Sequence, residues 1–267
     1  MSPWQTKLLI ALVALAPGWT YAADTTVTLL IDDAYPPYAY KQNDKAAGIY
    51  PDVLRMAASK LKGFKVELVP KPWKRALAEV EAGMAMGVVP PYYRPIERPW
   101  IRPYSVPILE ERVVVFCRRE MFSDSPRLRW PDDYRGLTFG NNMGFVLGGQ
   151  PFWTAVQMGL ITVQEAPGSR TNLTKLINKR IDCYLNDRLA ILSEIAQMRR
   201  DGIYDDIKHA HIQEGATISI ENGHIGYSSV DGERFAHKDE FVKQMDAILT
   251  LMRQSGDIQR IVDQYTR

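Results

Sequence analysis

The sequence lacks most of the features that indicate nucleic-acid binding, a metal centre or nucleotide chemistry. Its 33 Lys and Arg residues nearly balance 31 Asp and Glu residues, and the two signs are interspersed, so no polyanionic partner such as nucleic acid is indicated. Two cysteines without a Cys-x-x-Cys pair and four histidines provide no zinc-type spacing. GxSxG, P-loop and GxGxxG motifs are also absent. We therefore predict no metal and no cofactor.

Long apolar runs are also missing beyond the amino terminus. Lys7 is followed by a nine-residue apolar run, Leu8 to Ala16, then by the helix-breaking Pro17 and Gly18 and by small residues before Ala22. Nine residues are too few to cross a bilayer, which needs about 20, and the pattern is that of a cleaved secretory signal peptide. We predict a signal peptide over residues 1–22 and a periplasmic mature protein.

The two cysteines, Cys117 and Cys183, leave two alternatives open. In an oxidising compartment an even pair can form one disulfide. Two buried thiols that behave as small apolar side chains fit the sequence equally well. Neither alternative gives the cysteines a chemical role.

What the sequence does have is the alternating pattern of an α/β protein. Its composition, 46% hydrophobic and 24% charged, is typical of a globular protein with a core. In the first 90 residues, Val27 to Ile31 begins an order β-α-β-α-β, which predicts parallel strands covered by helices. A similar pattern restarts at Leu137. We predict an α/β fold made of two such units.

Two of the predicted strands run into proline–aromatic loops, Tyr35 to Tyr38 and Pro90 to Tyr93. Ligands of open α/β sheets bind outside the carboxyl ends of the strands. Aromatic side chains with polar tips line such pockets at little cost in rotamer entropy. We therefore predict that Tyr38 and Tyr92 line a binding pocket, with Trp73 as a further candidate.

The order of these landmarks resembles the periplasmic solute-binding proteins of the polar amino acid type, bacterial extracellular solute-binding protein family three. The motifs that carry the resemblance are Tyr35 to Tyr38, Gly48 to Val53, Trp73 to Leu77, Glu97-Arg98, Lys179 to Asp187 and Gly256 to Tyr265. The resemblance implies the type II periplasmic binding protein fold, in which two crossing strands form a hinge between two lobes. Lobe one would comprise residues 23–111 plus 223–267, and lobe two residues 112–222. The candidate crossings are the strands at Val113 to Phe116 and near Ile225.

The resemblance also implies two charged contacts to the ligand. An Arg at the position of Arg98 grips a carboxylate in this family, and an Asp at the position of Asp187 takes an ammonium. The planar guanidinium suits a carboxylate, but Arg94 and Arg102 lie in the same loop, and only the Glu-Arg motif favours Arg98. Asp187 follows a strand and precedes a helix, so it is also a candidate N-cap.

The chain departs from the family pattern at two places. Pro95 stands where these proteins usually have a Thr three residues before the Arg. Asn141 to Phe145 replaces a Gly-Ser/Thr step that opens a helix in lobe two. Backbone N–H groups there, around Asn142 and Gly144, still offer an anion site. An α-amino acid is the expected ligand, although two side-chain donors are missing or changed.

We therefore predict a monomeric, non-enzymatic binding protein that captures an amino acid, or a related amine or carboxylate, for the permease of an ABC-type importer. The alternative partner is a sensor receptor that recognises the closed form. The alternative activity is an enzyme on the same scaffold, a dehydratase acting on a small cyclic carboxylate. Such an enzyme needs a buried Glu or Asp as general acid, and no candidate stands out in the sequence.

Overall fold

The computed structural model describes residues 24–123, 126–205, 207–230 and 233–266; the predicted signal peptide over residues 1–22 lies outside them. Within those residues the strands are β1 (Thr25–Asp32), β2 (Ala34–Tyr35), β3 (Ala39–Gln42), β4 (Lys45–Ala47), β5 (Phe64–Lys71), β6 (Gly87–Val89), β7 (Ile101–Tyr104), β8 (Leu109–Arg118), β9 (Thr138–Asn142), β10 (Thr162–Ala166), β11 (Cys183–Asp187), β12 (Ile212–Gly223) and β13 (Gly226–Ser228). The α-helices are α1 (Ile49–Ala58), α2 (Trp73–Glu81), α3 (Gly149–Gln157), α4 (Ser169–Ile177), α5 (Arg188–Arg200), α6 (Lys238–Gln254) and α7 (Asp257–Thr266).

The first sheet has the order β5-β1-β6-β13-β7 and is covered by helices on both faces. β1 is parallel to β5 and β6, whereas β13 is antiparallel to β6 and β7. Because successive side chains of a strand point to opposite faces, Leu29 and Ile31 pack into the core under α1, α6 and α7. Leu30 packs with Trp73 and Leu77 of α2 on the other face. This double burial explains why β1 is an unbroken apolar run.

The second sheet, of order β10-β9-β11-β8-β12, has the same layered arrangement. β9 is parallel to β10 and β11, and β8 is antiparallel to β11 and β12. Val113 and Val115 of β8 pack toward Phe152 of α3, while Val114 and Phe116 pack with α4 and α5. The α/β fold of two lobes is therefore confirmed, with the difference that each sheet is mixed rather than wholly parallel.

Two neighbouring segments connect the lobes. β8 and β12 pair along their length as far as Leu109 and Gly223. Hydrogen bonds from Ile108 N to Gly223 O (2.9 Å) and from Ser105 N to Ile225 O (2.9 Å) extend the pairing into lobe one. The predicted strand at Val113 to Phe116 is the middle of β8. The second crossing is the longer β12, because the short strand after Ile225 (β13) belongs to the sheet of lobe one. The exact lobe boundaries stay a prediction.

Cys117 and Cys183 form a disulfide within lobe two. The two residues oppose each other in the antiparallel pair β8–β11, and both are fully buried. The disulfide therefore ties the crossing strand β8 to the strand that ends at Asp187. Of the two alternatives that the sequence left open, the structure contains the disulfide.

Candidate functional site between the lobes

A narrow cavity of about 20 Å³ lies between the lobes, a volume that holds about one water molecule. Residues of both lobes line it: Tyr35, Trp73, Pro90, Tyr92, Arg94 and Arg98 come from the first part of the chain, and Phe145, Val146 and Leu147 follow β9 of lobe two. The two proline–aromatic loops both contribute, as expected for the carboxyl ends of β1 and β6.

Arg98 is a buried cation at this cavity. Its side chain is fixed by a hydrogen bond from Nη2 to the carbonyl oxygen of Gly144 (3.2 Å) and lies 5.6 Å from the centre of the Trp73 ring. No carboxylate in the described part of the chain lies within ion-pair distance of it. Burial lowers the pKa of Arg98 to about 10, so the guanidinium is charged at neutral pH. The site therefore holds a desolvated positive charge with unused N–H donors.

The other two arginines of this loop are placed differently. Arg94 also lines the cavity, but its guanidinium makes a two-point ion pair with Glu221 of β12, at 2.6 and 3.1 Å. Arg102 is exposed on β7. Among the three arginines that the sequence could not separate, Arg98 alone combines burial, the cavity and the lack of a carboxylate partner within the described residues.

Trp73 supplies a second unsatisfied donor at the same cavity. It is the first residue of α2 and is 6% exposed. Its indole Nε1 is buried and has no hydrogen-bond partner within the described residues. A buried donor without a partner costs about 1–3 kcal/mol. Arg98 and Trp73 together therefore form a site at which a bound anion would satisfy two groups at once.

Behind two of the cavity residues lies a buried tyrosine–carboxylate cluster, formed by Tyr35, Tyr38, Tyr50, Tyr92, Glu111 and Asp187. Glu111, near the start of β8, accepts hydrogen bonds from the hydroxyls of Tyr35 (2.5 Å), Tyr92 (2.6 Å) and Tyr50. Burial, and then the charge of Asp187, raise the pKa of Glu111 to about 8. Neither carboxyl group has a Lys or Arg ion-pair partner in the described residues, so the cluster has no resident cation.

Asp187 lies in this cluster and is not part of the cavity lining. It caps α5, because Oδ1 accepts from the backbone N of Ala190 (2.9 Å), and Oδ2 accepts from the backbone N of Arg112 (2.8 Å). The Tyr38 hydroxyl lies near this carboxylate, and burial raises the pKa of Asp187. The N-cap alternative from the sequence is therefore realised. A ligand amine would reach Asp187 only in exchange for part of this network.

The remaining predicted site residues divide between the cavity and its surroundings. Trp73, Tyr92 and Arg98 line the cavity, and Gly144 adjoins it through its carbonyl bond to Arg98. Asn142 is turned into lobe two, where Oδ1 accepts from Asn172 Nδ2 (2.9 Å) and Tyr184 OH (2.8 Å). Tyr38 lies in the tyrosine–carboxylate cluster.

Three residues of the site could not be selected from the sequence. Tyr35 belongs to a loop that was recognised, but nothing in the sequence distinguished its ring from that of Tyr38. Glu111 lies in the charged stretch Glu110–Arg112, which is typical of the polar end of a strand. Phe145 was noted only as a departure from the family pattern, yet that departure was the one signal of its place in the cleft.

The fold is that of the two-lobed binding proteins. It has a mixed β-sheet packed against helices in each lobe, two crossing strands, and a cavity lined by both lobes. The sequence profile described as "Bacterial extracellular solute-binding proteins, family 3" matches residues 27–267. The chain belongs to this family, which confirms the resemblance. No curated protein matches the sequence closely enough to name a relative.

Solved structures with the same fold cover nearly the whole chain. A histidine kinase sensor domain with similarity to periplasmic binding proteins has a TM-score of 0.71 at 17% identity, over 91% of this chain and 96% of that one. An ancestral arginine-binding protein bound to glutamine has 0.68 at 19%, over 90% and 97%. The ancestral amino-acid-binding protein AncCDT-1, a precursor of cyclohexadienyl dehydratase, has 0.66 at 14%, over 91% and 95%. At these identities the similarity establishes the fold.

The described residues also bear on a metal site and on a membrane span. No group of three or more His, Cys, Asp or Glu side chains there is arranged to hold a metal ion. No helix in that part of the chain is both long enough and apolar enough to cross a membrane.

Proposed function

We propose that the protein is a periplasmic solute-binding protein that holds a small carboxylate-bearing solute of the amino acid type and releases it unchanged. The observation that supports this most is the buried Arg98, without a carboxylate partner in the described residues, beside the unsatisfied indole N–H of Trp73. A ligand carboxylate would accept hydrogen bonds from both, and charge-assisted bonds to a desolvated guanidinium are strong.

We assign the amine of such a solute to the tyrosine–carboxylate cluster, with Asp187 as the charged group. Tyr35 and Tyr92 line the cavity and donate hydrogen bonds to Glu111, and Tyr38 lies near Asp187 behind them. A positive group entering from the cavity would meet tyrosine hydroxyls backed by the carboxyl groups of Glu111 and Asp187, neither of which has a cation among the described residues. Asp187 would supply the negative charge. The ancestral arginine-binding protein, whose structure holds glutamine, supports an amino acid as the ligand class.

The proposed mechanism is hinge closure between lobe one, residues 23–111 plus 223–267, and lobe two, residues 112–222. A ligand that contacts Arg98 on one lobe and the segment at Gly144 to Leu147 on the other stabilises the closed form by its preference for that form. A permease of an ABC-type importer would then recognise the closed monomer. The sensor-domain neighbour supports a membrane receptor as the second candidate partner.

The test is a thermal-shift screen of the mature protein against amino acids, amines and small carboxylates, because a ligand that binds the native state raises the melting temperature. We expect carboxylate-bearing compounds to raise it, and we expect Arg98→Gln to remove the shift. Arg102→Gln is the matched control, since Arg102 is exposed on β7. A shift that survives in Arg98→Gln, or that no carboxylate produces in the wild type, rejects the proposed site.

The amine assignment has its own test. Asp187→Asn should weaken amine-bearing ligands more than carboxylates of the same size that lack an amine, for example alanine against propionate. Equal weakening of the two would mean that Asp187 acts only as the cap of α5.

A second candidate function is catalysis on the same scaffold, favoured by one observation: Glu111 is a buried carboxyl whose raised pKa, about 8, keeps a proton available at neutral pH for elimination of water from a small cyclic carboxylate. AncCDT-1 is a neighbour in fold. Against this, Glu111 is shielded from the cavity by tyrosines that occupy its oxygens. Mass analysis of each compound recovered after binding decides between the two, because a binding protein returns it intact.

A further inference from the structure

The ring of Phe145 lies in the cleft itself. Phe145 follows β9 in lobe two, and its ring makes edge contacts with two aromatic rings of lobe one, Tyr35 (5.4 Å between centroids) and Trp73 (6.0 Å). It lines the same cavity as Arg98. It also packs against hydrophobic clusters of both lobes. A side chain of the protein therefore occupies the position, beside the buried cation, in which a ligand's own substituent would lie.

The backbone holds this ring in place. Phe145 N donates to Asn142 O (2.9 Å), and its carbonyl oxygen accepts from Asn141 Nδ2 (2.9 Å). The neighbouring Gly144 is bonded through its carbonyl to Arg98. With the ring in this position the remaining cavity is about 20 Å³, close to the space for one water molecule. A ligand with a large substituent must push the ring out and expose its apolar surface to water, which opposes binding.

We propose that Phe145 sets the size of the ligand: its ring fills the substituent pocket of the cleft, so the protein prefers carboxylates whose α-carbon carries a small group, such as methyl, to those with a larger one. This inference rests on the proposed function, because it takes Arg98 as the carboxylate site. It arises from the Asn141 to Phe145 stretch, in which the sequence departs from the family pattern.

The experiment removes the Phe145 ring and leaves a cavity of similar shape. Phe145→Ala should create an apolar pocket, walled by Tyr35 and Trp73, beside the guanidinium of Arg98. Phenylacetate is the probe, because its ring fits the deleted ring and its carboxylate can bind Arg98. Measured by isothermal titration calorimetry, phenylacetate should bind Phe145→Ala at least about tenfold more tightly than the wild type. Toluene, which has the ring without the carboxylate, is the neutral probe.

Three variants separate the possible results. Phe64→Ala removes a ring that packs on Phe241 in lobe one, so it should gain no phenylacetate binding. Phe145→Leu opens less space and should admit butyrate or valerate, whose α-carbon carries a longer group than methyl, but not phenylacetate. It also keeps the proposal testable where the alanine variant does not fold. Phe145→Ala combined with Arg98→Gln should lose the phenylacetate gain.

The outcomes distinguish the inference from the function on which it rests. If neither Phe145→Ala nor Phe145→Leu gains binding of any larger carboxylate, or if Phe64→Ala gains it equally, the role of Phe145 is rejected. The carboxylate site would then still be judged by the wild-type screen. If Phe145→Ala binds toluene as well as phenylacetate and Arg98→Gln has no effect, Phe145 fills the pocket but Arg98 is not the carboxylate site.

Discussion

Arg98 and Glu111 are both buried ionisable side chains, and the structure accommodates their charges in different ways. Glu111 accepts three tyrosine hydroxyls, and its raised pKa lets it take up a proton. Arg98 cannot lose its charge at neutral pH and receives one backbone carbonyl and one aromatic face. A buried charge that is left without its counter-charge destabilises the fold unless something bound there supplies it. This difference is why we place the ligand at Arg98.

The cost of the unpaired guanidinium leads to the first prediction. Arg98→Met replaces the charged side chain by an unbranched apolar one. The unliganded protein should therefore become more stable by about 1–3 kcal/mol, while carboxylate binding is lost. Urea unfolding of the two proteins at pH 7 measures the change. Arg102→Met should lie within about 0.5 kcal/mol of the wild type. A loss of stability in Arg98→Met would mean that the bond to Gly144 has a structural role that outweighs the buried charge.

The second prediction concerns the pH dependence of stability. The pKa of Glu111 is raised from 4.5 to about 8 in the folded protein, so between these values the folded state holds more protons than the unfolded state. The part of the unfolding free energy that comes from Glu111 is therefore fully present below about pH 4.5. It falls as the pH rises through that window and is lost above about pH 8. The slope should approach about 1.4 kcal/mol per pH unit. Glu111→Gln keeps the shape of the side chain and should remove this part of the slope.

Urea unfolding at pH 5, 6, 7 and 8 measures the second prediction. Asp32, whose pKa burial raises to about 7, contributes a slope of the same sign, but it is present in both proteins and cancels in the difference between them. Parallel curves for wild type and Glu111→Gln would show that Glu111 is ionised throughout and that its tyrosine partners stabilise the charge completely.

At the scale of elements, the sequence predicted the strands that are buried on two faces, together with the alternating strand β5, and it missed β12. β1 and β8 are apolar runs because helices cover both sides of each, and both were predicted. β12 is mostly half-buried and contains two register shifts, so its sequence has no regular alternation. Helix α3 begins at consecutive glycines, which indicate a loop. In such segments the structure depends on partners distant in sequence, which local patterns do not contain.

The same limit applies to the site. Trp73, Tyr92 and Arg98 were predicted because motifs mark them, and all three line the cavity. Glu111 and Phe145 have no distinguishing local pattern, since their environment comes from tyrosines and aromatic rings of other segments. The pairing of Cys117 with Cys183 was undecided for the same reason: only the register of β8 and β11 places the two sulfurs together.

The third prediction concerns this disulfide, which links β8 to β11 across 66 residues. Cross-linking a loop of that length should stabilise the protein by about 4 kcal/mol by restricting the unfolded chain. The double variant Cys117→Ala, Cys183→Ala should unfold at a correspondingly lower denaturant concentration, and amides of β8 and β11 should exchange hydrogen faster. Dithiothreitol is the control, because it should destabilise the wild type and leave the double variant unchanged. Equal stability of the two proteins would mean that strand pairing alone holds lobe two.

At the scale of the whole molecule, one contact tests whether the observed approach of the two lobes is the binding-competent arrangement. Gly168, at the amino end of α4 in lobe two, lies against Ala34 of lobe one: a Cβ atom at Gly168 would be 2.8 Å from the Ala34 carbonyl oxygen and 3.0 Å from its Cβ. Its φ of −169° is extended backbone, which any residue adopts. The conflict therefore exists only between the lobes, and each lobe by itself tolerates the added methyl group.

We therefore expect Gly168→Ala to disfavour closure without unfolding either lobe. Small-angle scattering should give a larger radius of gyration than for the wild type, and the Kd of a carboxylate ligand should rise by about tenfold or more, because binding must then work against the clash. The unfolding free energy without ligand should change by less than about 1 kcal/mol, because no contact within a lobe is altered. Gly168→Val should extend both effects, since it adds more volume at the same backbone conformation. If the radius of gyration and the affinity stay at wild-type values while the melting temperature falls, Gly168 matters for the folding of lobe two, and the two lobes do not need this approach in order to bind.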